Sequence, residues 1–307
     1  MNEAQPGVWA TMLTPFTETG QIDYSGLERI VEWYLENRVA GLFAVCKSSE
    51  STEMSLDERL QLARFVVSRA NGRVPVIAGG NLSATIAAQA DEVARMADTG
   101  VDAVVLLSSR LVDEQESDAV WRERMEELVG AIDPGVILGV YESPSPYHRI
   151  VSEENLAWCR DTGRFRFLKD TSCDLELIRR KIDVVSGTTL RIFNANAQTL
   201  LESLRYGAAG YSSVLSSVTP VLCDWLVRNH RAHPERAERL QRYLSVADAA
   251  VVARSYPASA KYFLTLEGLP ISTRTRMPIR FPVDQTMRRT IADLRALNRE
   301  YLERYAD

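Results

Sequence analysis

Two side chains of this sequence have the types and spacing for covalent carbonyl chemistry. Lys169 closes the run Phe165-Arg-Phe-Leu-Lys169, and Tyr141 closes the run Val136-Ile-Leu-Gly-Val-Tyr141. Each run has the length and apolar composition of a buried strand, and each is followed by a polar turn and a helical pattern. Groups at the carboxyl ends of consecutive parallel strands stand where α/β folds put their chemistry. An amine emerging from an apolar wall is desolvated, which lowers its pKa and lets it attack a ketone. The iminium that results is an electron sink, and a tyrosine within hydrogen-bond reach can carry the proton that then moves. A plainer use of the same residues is an ion pair between Lys169 and Asp170, with Tyr141 as a plug. If strand alternation holds, however, Asp170 points to the opposite side.

Lysine is scarce here. Of 36 basic residues only Lys47, Lys169, Lys181 and Lys261 are lysine, and arginine stays protonated and cannot serve as an amine nucleophile. Lys47 lies in the turn Cys46-Lys-Ser-Ser-Glu-Ser51, just past the apolar run Gly41–Val45. As a second amine on the same face it would bind a carboxylate or lower the pKa of Lys169 by repulsion, unless it is a solvated loop residue. Ser48 and Ser49 add hydroxyls and backbone N–H groups suited to a carboxylate. Arg110, after the fourth apolar run, and Ser212, in the eighth, complete the candidate substrate-binding set. Cys46, Cys159, Cys173 and Cys223 form no CxxC pair, and His148, His230 and His233 form no cluster with a carboxylate pair. No glycine pattern of a nucleotide loop occurs, so neither a metal nor a nucleotide cofactor is expected.

The elements that must hold these groups are visible as a repeated alternation. Apolar runs fall at 8–16, 41–45, 75–79, 103–107, 136–141, 165–169, 190–193 and 210–215, with helical patterns between them. Asp23 and Ser152 are placed as N-caps, and Ser55 with Glu58 forms a capping box. Eight such units predict an α/β fold, a (β/α)8 TIM barrel over residues 1–219. After Thr219-Pro220 the patterns are helical over 221–229, 235–254, 258–266 and 285–305, predicting a C-terminal helical segment (220–307) packed on the barrel. A composition of 46% hydrophobic and 25% charged residues with a formal charge of -5 is that of a globular protein and gives no reason to expect nucleic acid. The N-terminus lacks the features of a signal peptide, and no apolar run approaches membrane-spanning length, so a cytoplasmic protein without membrane partners is expected.

The chain resembles the dihydrodipicolinate synthase and N-acetylneuraminate lyase family of Schiff-base aldolases over nearly its whole length. Thr14-Pro15-Phe16, Glu50-Ser51, Tyr141-x-x-Pro144, Lys169-Asp-Thr-Ser172, Gly207-Ala-Ala-Gly210 and the late Pro257, Lys261, Gly268 and Pro278 follow the family's order. The resemblance implies a TIM barrel assembled as a homotetramer or homodimer, Lys169 as imine former and Tyr141 as proton relay. Ser48 and Ser49 would receive the carboxylate of a 2-oxo acid, and no external cofactor is implied. Three departures stand out. The family's Gly-x-x-Gly-Glu turn reads Cys46-Lys-Ser-Ser-Glu50, putting Lys47 where a relay threonine is common. Ser108-Ser-Arg110-Leu111 replaces the aromatic pair of the synthases, and their arginine falls on Pro146, with Arg149 close enough to substitute if the loop bends. The expected activity is a Schiff-base aldolase or lyase on a pyruvate-type 2-oxo acid. A 2-oxo sugar acid dehydratase using the same imine, or a non-catalytic binding relative, are the alternatives.

Overall fold

The eight apolar runs pair in chain order. The computed structural model describes residues 3–252 and 255–305. In it, β1 (Gly7–Thr11), β2 (Gly41–Val45), β3 (Val76–Gly79), β4 (Ala103–Leu107), β5 (Leu138–Tyr141), β6 (Phe165–Asp170), β7 (Arg191–Asn194) and β8 (Gly210–Tyr211) form a closed parallel barrel. Between the strands run α1 (Tyr24–Glu36), α2 (Leu56–Ala70), α3 (Ile86–Ala97), α4 (Asp118–Gly130), α5 (Glu153–Asp161), α6 (Leu175–Val185) and α7 (Leu200–Tyr206). This is a (β/α)8 TIM barrel. The caps sit where the side chains predict them. Asp23 accepts from the N–H of Gly26, Ser55 and Glu58 bond reciprocally, and Ser152 accepts from the N–H of Asn155.

Strand alternation sorts the barrel residues into two cores. Trp9, Phe43, Ile77, Val105, Phe167 and Phe193 form a buried cluster within the barrel, together with Leu107 and Tyr141. Val8, Ala10, Leu42, Val104, Leu168 and Ile192 belong to the larger core beneath the helices. The inner cluster is aromatic, with Phe167 stacked on Phe193 at 4.6 Å and tilted against Trp9 at 5.3 Å. Room for Trp9 comes from Gly41, where a Cβ would lie 2.4 Å from the indole. Lys169 is two residues beyond Phe167 and so shares its inward direction, whereas Asp170 follows Leu168 outward.

Two strands, β1 and β8, are each four residues shorter than their apolar runs. The run 8–16 stops pairing as a strand at Thr11, ahead of Pro15, which has no N–H to donate. The run 210–215 yields a two-residue β8, because a 3-10 turn over Val214–Ser217 takes its place. The serine side chains of that turn satisfy backbone groups instead: Ser216 Oγ accepts from the Thr11 N–H at 3.0 Å and Ser217 Oγ donates to the Thr11 carbonyl at 2.5 Å.

The C-terminal segment is helical, with α8 (Pro220–Asn229), α9 (Pro234–Val252), α10 (Ala258–Leu266) and α11 (Gln285–Arg304). Its first helix, α8, packs against β1 and β8 and joins the outer ring of the barrel. The expected helix end at Arg254 lies outside the described residues, as do Met1, Asn2 and the last two positions. Between α10 and α11 an irregular strap carries Arg274, Arg276, Met277 and Pro278 back to the mouth of the barrel, where Glu50 holds it.

Candidate active site

Lys169 occupies the carboxyl end of β6, in register with Tyr141 on β5 and Phe193 on β7. It is only 5% exposed. Its Nζ lies 4.5 Å from the Tyr141 ring centroid and 5.8 Å from that of Phe43. Burial lowers its pKa to about 8; the neighbouring Cys46 opposes that shift and Lys47 adds to it. No carboxylate stands among these influences, so no ion pair holds the proton on the amine. Tyr141 is buried as well, which raises its phenol above the ordinary value and keeps it a proton donor, with Ser143 as the polar side chain that eases the rise.

Asp170 is not the partner of Lys169. It turns outward and meets Lys181 from α6, whose Nζ lies 2.6 Å from Asp170 and 2.5 Å from Glu142. All three are fully buried. Glu142 also accepts from the N–H groups of Val151 at 2.9 Å and Thr171 at 3.0 Å. Burial works against the charge on Lys181, but the two carboxylates outweigh it and raise its pKa. Because Glu142 follows Tyr141 and Asp170 follows Lys169, this triad ties the two strand ends together directly behind Tyr141 and Lys169.

The turn after β2 supplies the facing wall. Ser49 Oγ donates to the Cys46 carbonyl at 2.7 Å and accepts from the Cys46 N–H at 2.6 Å, so this hydroxyl builds the turn. Ser48 is buried beside Tyr256. Glu50 adopts a left-handed φ of 62°, and its carboxylate takes Lys261 Nζ at 2.6 Å and the N–H groups of Arg276 and Met277 at 2.6 and 2.7 Å. This buried cluster fastens the strap to the β2 turn. Lys47 is partly buried, which lowers its pKa, and it forms no ion pair among the described residues.

A cavity of about 310 Å³ opens between the ends of β2 and β5, walled by Val45, Lys47, Gly79, Leu107, Tyr141 and Met277 among others. Ser212 is buried with an unpartnered hydroxyl, but it lies on the β8 side and is not part of this wall. Arg110 lines a different cleft, of about 1010 Å³, with Gln89 and Tyr147. Arg149 does not substitute for the missing arginine, because the loop carries it outward: its guanidinium lies 2.7 Å from the Glu116 carbonyl and 2.7 Å from Asp118.

The pattern of the dihydrodipicolinate synthetase family matches residues 4–296. The chain belongs to that family. A 4-hydroxy-tetrahydrodipicolinate synthase of Gluconacetobacter diazotrophicus is 28% identical over 281 residues, 89% of this chain and 90% of the relative. One of Acidiphilium cryptum is 29% identical over 277 residues, 89% of this chain and 91% of its own. The solved dihydrodipicolinate synthase of Thermotoga maritima shares the fold with a TM-score of 0.86 at 21% identity, over 96% of this chain and 99% of that one.

Within this dihydrodipicolinate synthetase family member, the barrel brings Lys169, Tyr141 and Lys47 to one mouth, the strand ends at which the sequence puts them. The ionic work of Glu142, Asp170 and Lys181, and the wall that Met277 and Pro278 provide, are not expected from the sequence. The scarcity of lysine is the signal that could have found two of these sites. Lys181 and Lys261 are half of the chain's lysines, and a chain that otherwise uses arginine has placed both in full burial.

Proposed function

We infer that the protein is a Schiff-base lyase or aldolase that makes or breaks a carbon–carbon bond in a pyruvate-type 2-oxo acid. The observation that carries this reading is the environment of Lys169: a buried amine with no carboxylate partner among the described residues, 4.5 Å from the ring of a buried tyrosine that walls an open cavity. The neutral amine attacks the ketone carbon, and loss of water leaves an iminium that acidifies the adjacent methyl group. Tyr141 passes the proton in this and the later steps. Lys47, the ammonium on the cavity wall, holds the substrate carboxylate with Ser48 and the β2 turn, while Ser49 shapes that turn. Residues 1–219 carry the chemistry in this reading, and 220–307 supply the strap that completes the site. The reading includes a cytoplasmic enzyme assembled as a homodimer or homotetramer, which sedimentation would test. Among the described residues no helix is long and apolar enough to cross a membrane.

The test needs no acceptor. In D2O the enamine takes up deuterium at the pyruvate methyl, so NMR should show exchange by the wild type and none by Lys169→Met. Absence of exchange by folded wild-type protein refutes the reading.

A further inference from the structure

The part of the cavity beyond Lys47 has a composition that selects the second reactant. Val45, Leu82, Leu107 and Met277 give it apolar side chains, supplied by β2, the β3 loop, β4 and the C-terminal strap. Gly79 keeps the floor open between them: a Cβ there would lie 2.9 Å from the Val45 carbonyl oxygen and 3.4 Å from Leu107 Cδ1. Among the described residues Lys47 is the one cation in this wall, and the carboxylate of the 2-oxo acid takes it. The arginines that could serve a second carboxylate are committed elsewhere. Arg110 lines the other cleft, Arg149 is bound to Asp118, and Arg276 is paired with Glu58 at 2.6 Å. The wall does include a carboxylate, Glu53, which repels an anionic acceptor. Of the five hydroxyl side chains in the wall, Ser51, Thr52, Tyr141, Ser143 and Ser145, two are turned onto the protein itself: Ser143 Oγ donates to the Ser145 carbonyl at 3.1 Å and Thr52 Oγ1 to Glu53 at 3.3 Å. The volume of about 310 Å³ sits at the small end of the roughly 300–1,000 Å³ that small-molecule sites span.

We propose that the aldehyde partner in this reaction is uncharged and apolar, a short branched aliphatic or a single-ring aromatic aldehyde. The acceptor then carries neither a carboxylate nor a row of hydroxyls. The proposal rests on the imine reading above and names its substrate class. In the synthetic direction the enamine carbon of the Lys169-bound pyruvate attacks the aldehyde carbon and forms the new bond. The carbonyl π pair moves to the aldehyde oxygen, which takes a proton by way of Tyr141. Water then hydrolyses the iminium, freeing the Lys169 amine and a 4-hydroxy-2-oxo acid. Pyruvate and aldehyde add without loss of atoms, because the water released on imine formation is returned. A polar group buried without a partner costs affinity, and this wall offers the carboxylate of an acceptor no cation beyond Lys47.

The test offers the full-length wild-type protein pyruvate with isobutyraldehyde, benzaldehyde, succinic semialdehyde or glyceraldehyde, and measures the 4-hydroxy-2-oxo acid products by mass spectrometry. Methyl exchange of pyruvate in D2O is followed in the same samples. The expected result is exchange throughout, with kcat/KM for isobutyraldehyde or benzaldehyde at least tenfold above that for the carboxylated and hydroxylated aldehydes. Leu82→Arg, which puts a cation in the apolar wall, should shift the ratio at least tenfold toward succinic semialdehyde; the wild-type comparison stands if that variant does not fold. Exchange accompanied by preference for a charged or hydroxylated aldehyde, or by no turnover of any aldehyde, overturns the acceptor assignment and leaves the imine reading intact. No exchange and no product overturns both.

Discussion

Lys169 and Lys181 are buried within the same pair of strand ends, and their surroundings are opposite. Lys181 has two carboxylates, at 2.5 and 2.6 Å, and its pKa is raised. Lys169 has aromatic faces at 4.5 and 5.8 Å, and its pKa falls to about 8. The carboxylates that could have quenched Lys169 are the next residues along the chain. Tyr141 is followed by Glu142 and Lys169 by Asp170, and strand alternation sends each acid to the far side of the sheet. Reactivity on one face and ionic fastening on the other therefore come from two dipeptides in register. In the proposed mechanism, what distinguishes the nucleophilic lysine from the structural one is the partner withheld.

The same substitution at the two positions should have contrasting consequences. The largest effect is on turnover: Lys169→Met removes the amine and should lower kcat by roughly four orders of magnitude or more, measured by carbon–carbon cleavage or condensation. A loss below tenfold would end the contrast. Next is Lys181→Met, which leaves Glu142 and Asp170 buried without their cation and should destabilise the fold by about 3–5 kcal/mol in urea unfolding. A change under about 1 kcal/mol would mean that the triad fastens nothing. Lys261→Met should cost less, about 1.5–3 kcal/mol, because two backbone N–H groups still hold Glu50. Hydrogen exchange would show the strap at residues 272–278 loosened before the barrel.

Two smaller effects sharpen the comparison through pH. The attacking species is the neutral amine, so its fraction rises with pH through about 8. The rate of imine formation should climb through that region and level off, instead of climbing through the ordinary lysine value. For stability, the folded pKa of Lys169 lies below the unfolded one. Between the two the unfolded chain holds a proton that the folded chain has lost, so wild-type stability rises with pH across that window. Lys169→Met, free of the buried charge, should therefore gain about 0.5–2 kcal/mol at neutral pH. That gain should shrink as pH rises above 8 and be gone near the unfolded value, a trend measurable by unfolding at several pH values.

Much of the barrel was legible because each strand is a short apolar run bounded by a turn and a capped helix. Asp23, Ser55 and Ser152 announce their helices by local chemistry alone. The eighth strand is shorter than its apolar run because the hydroxyls of Ser216 and Ser217 compete for backbone groups that a strand would use. At the site, Lys169 and Tyr141 were legible as lone polar ends of apolar runs, and the outward turn of Asp170 followed from period two. The directions of Arg110 and Arg149 are not legible in the sequence, because both lie in loops set by contacts with Gln89, Glu116 and Asp118. Nothing local marks the Ser49 hydroxyl as the group that closes its own turn on Cys46. The Glu50–Lys261 pair spans 211 positions, and nothing local marks either residue as the other's partner.

The measurement that bears most directly on this account is borohydride trapping with pyruvate, followed by peptide mass spectrometry across all four lysines. The account predicts a single reduced adduct, on Lys169. An adduct on Lys47 instead would contradict it by moving the imine to the β2 turn, and folded protein with no adduct at any lysine would contradict the imine altogether.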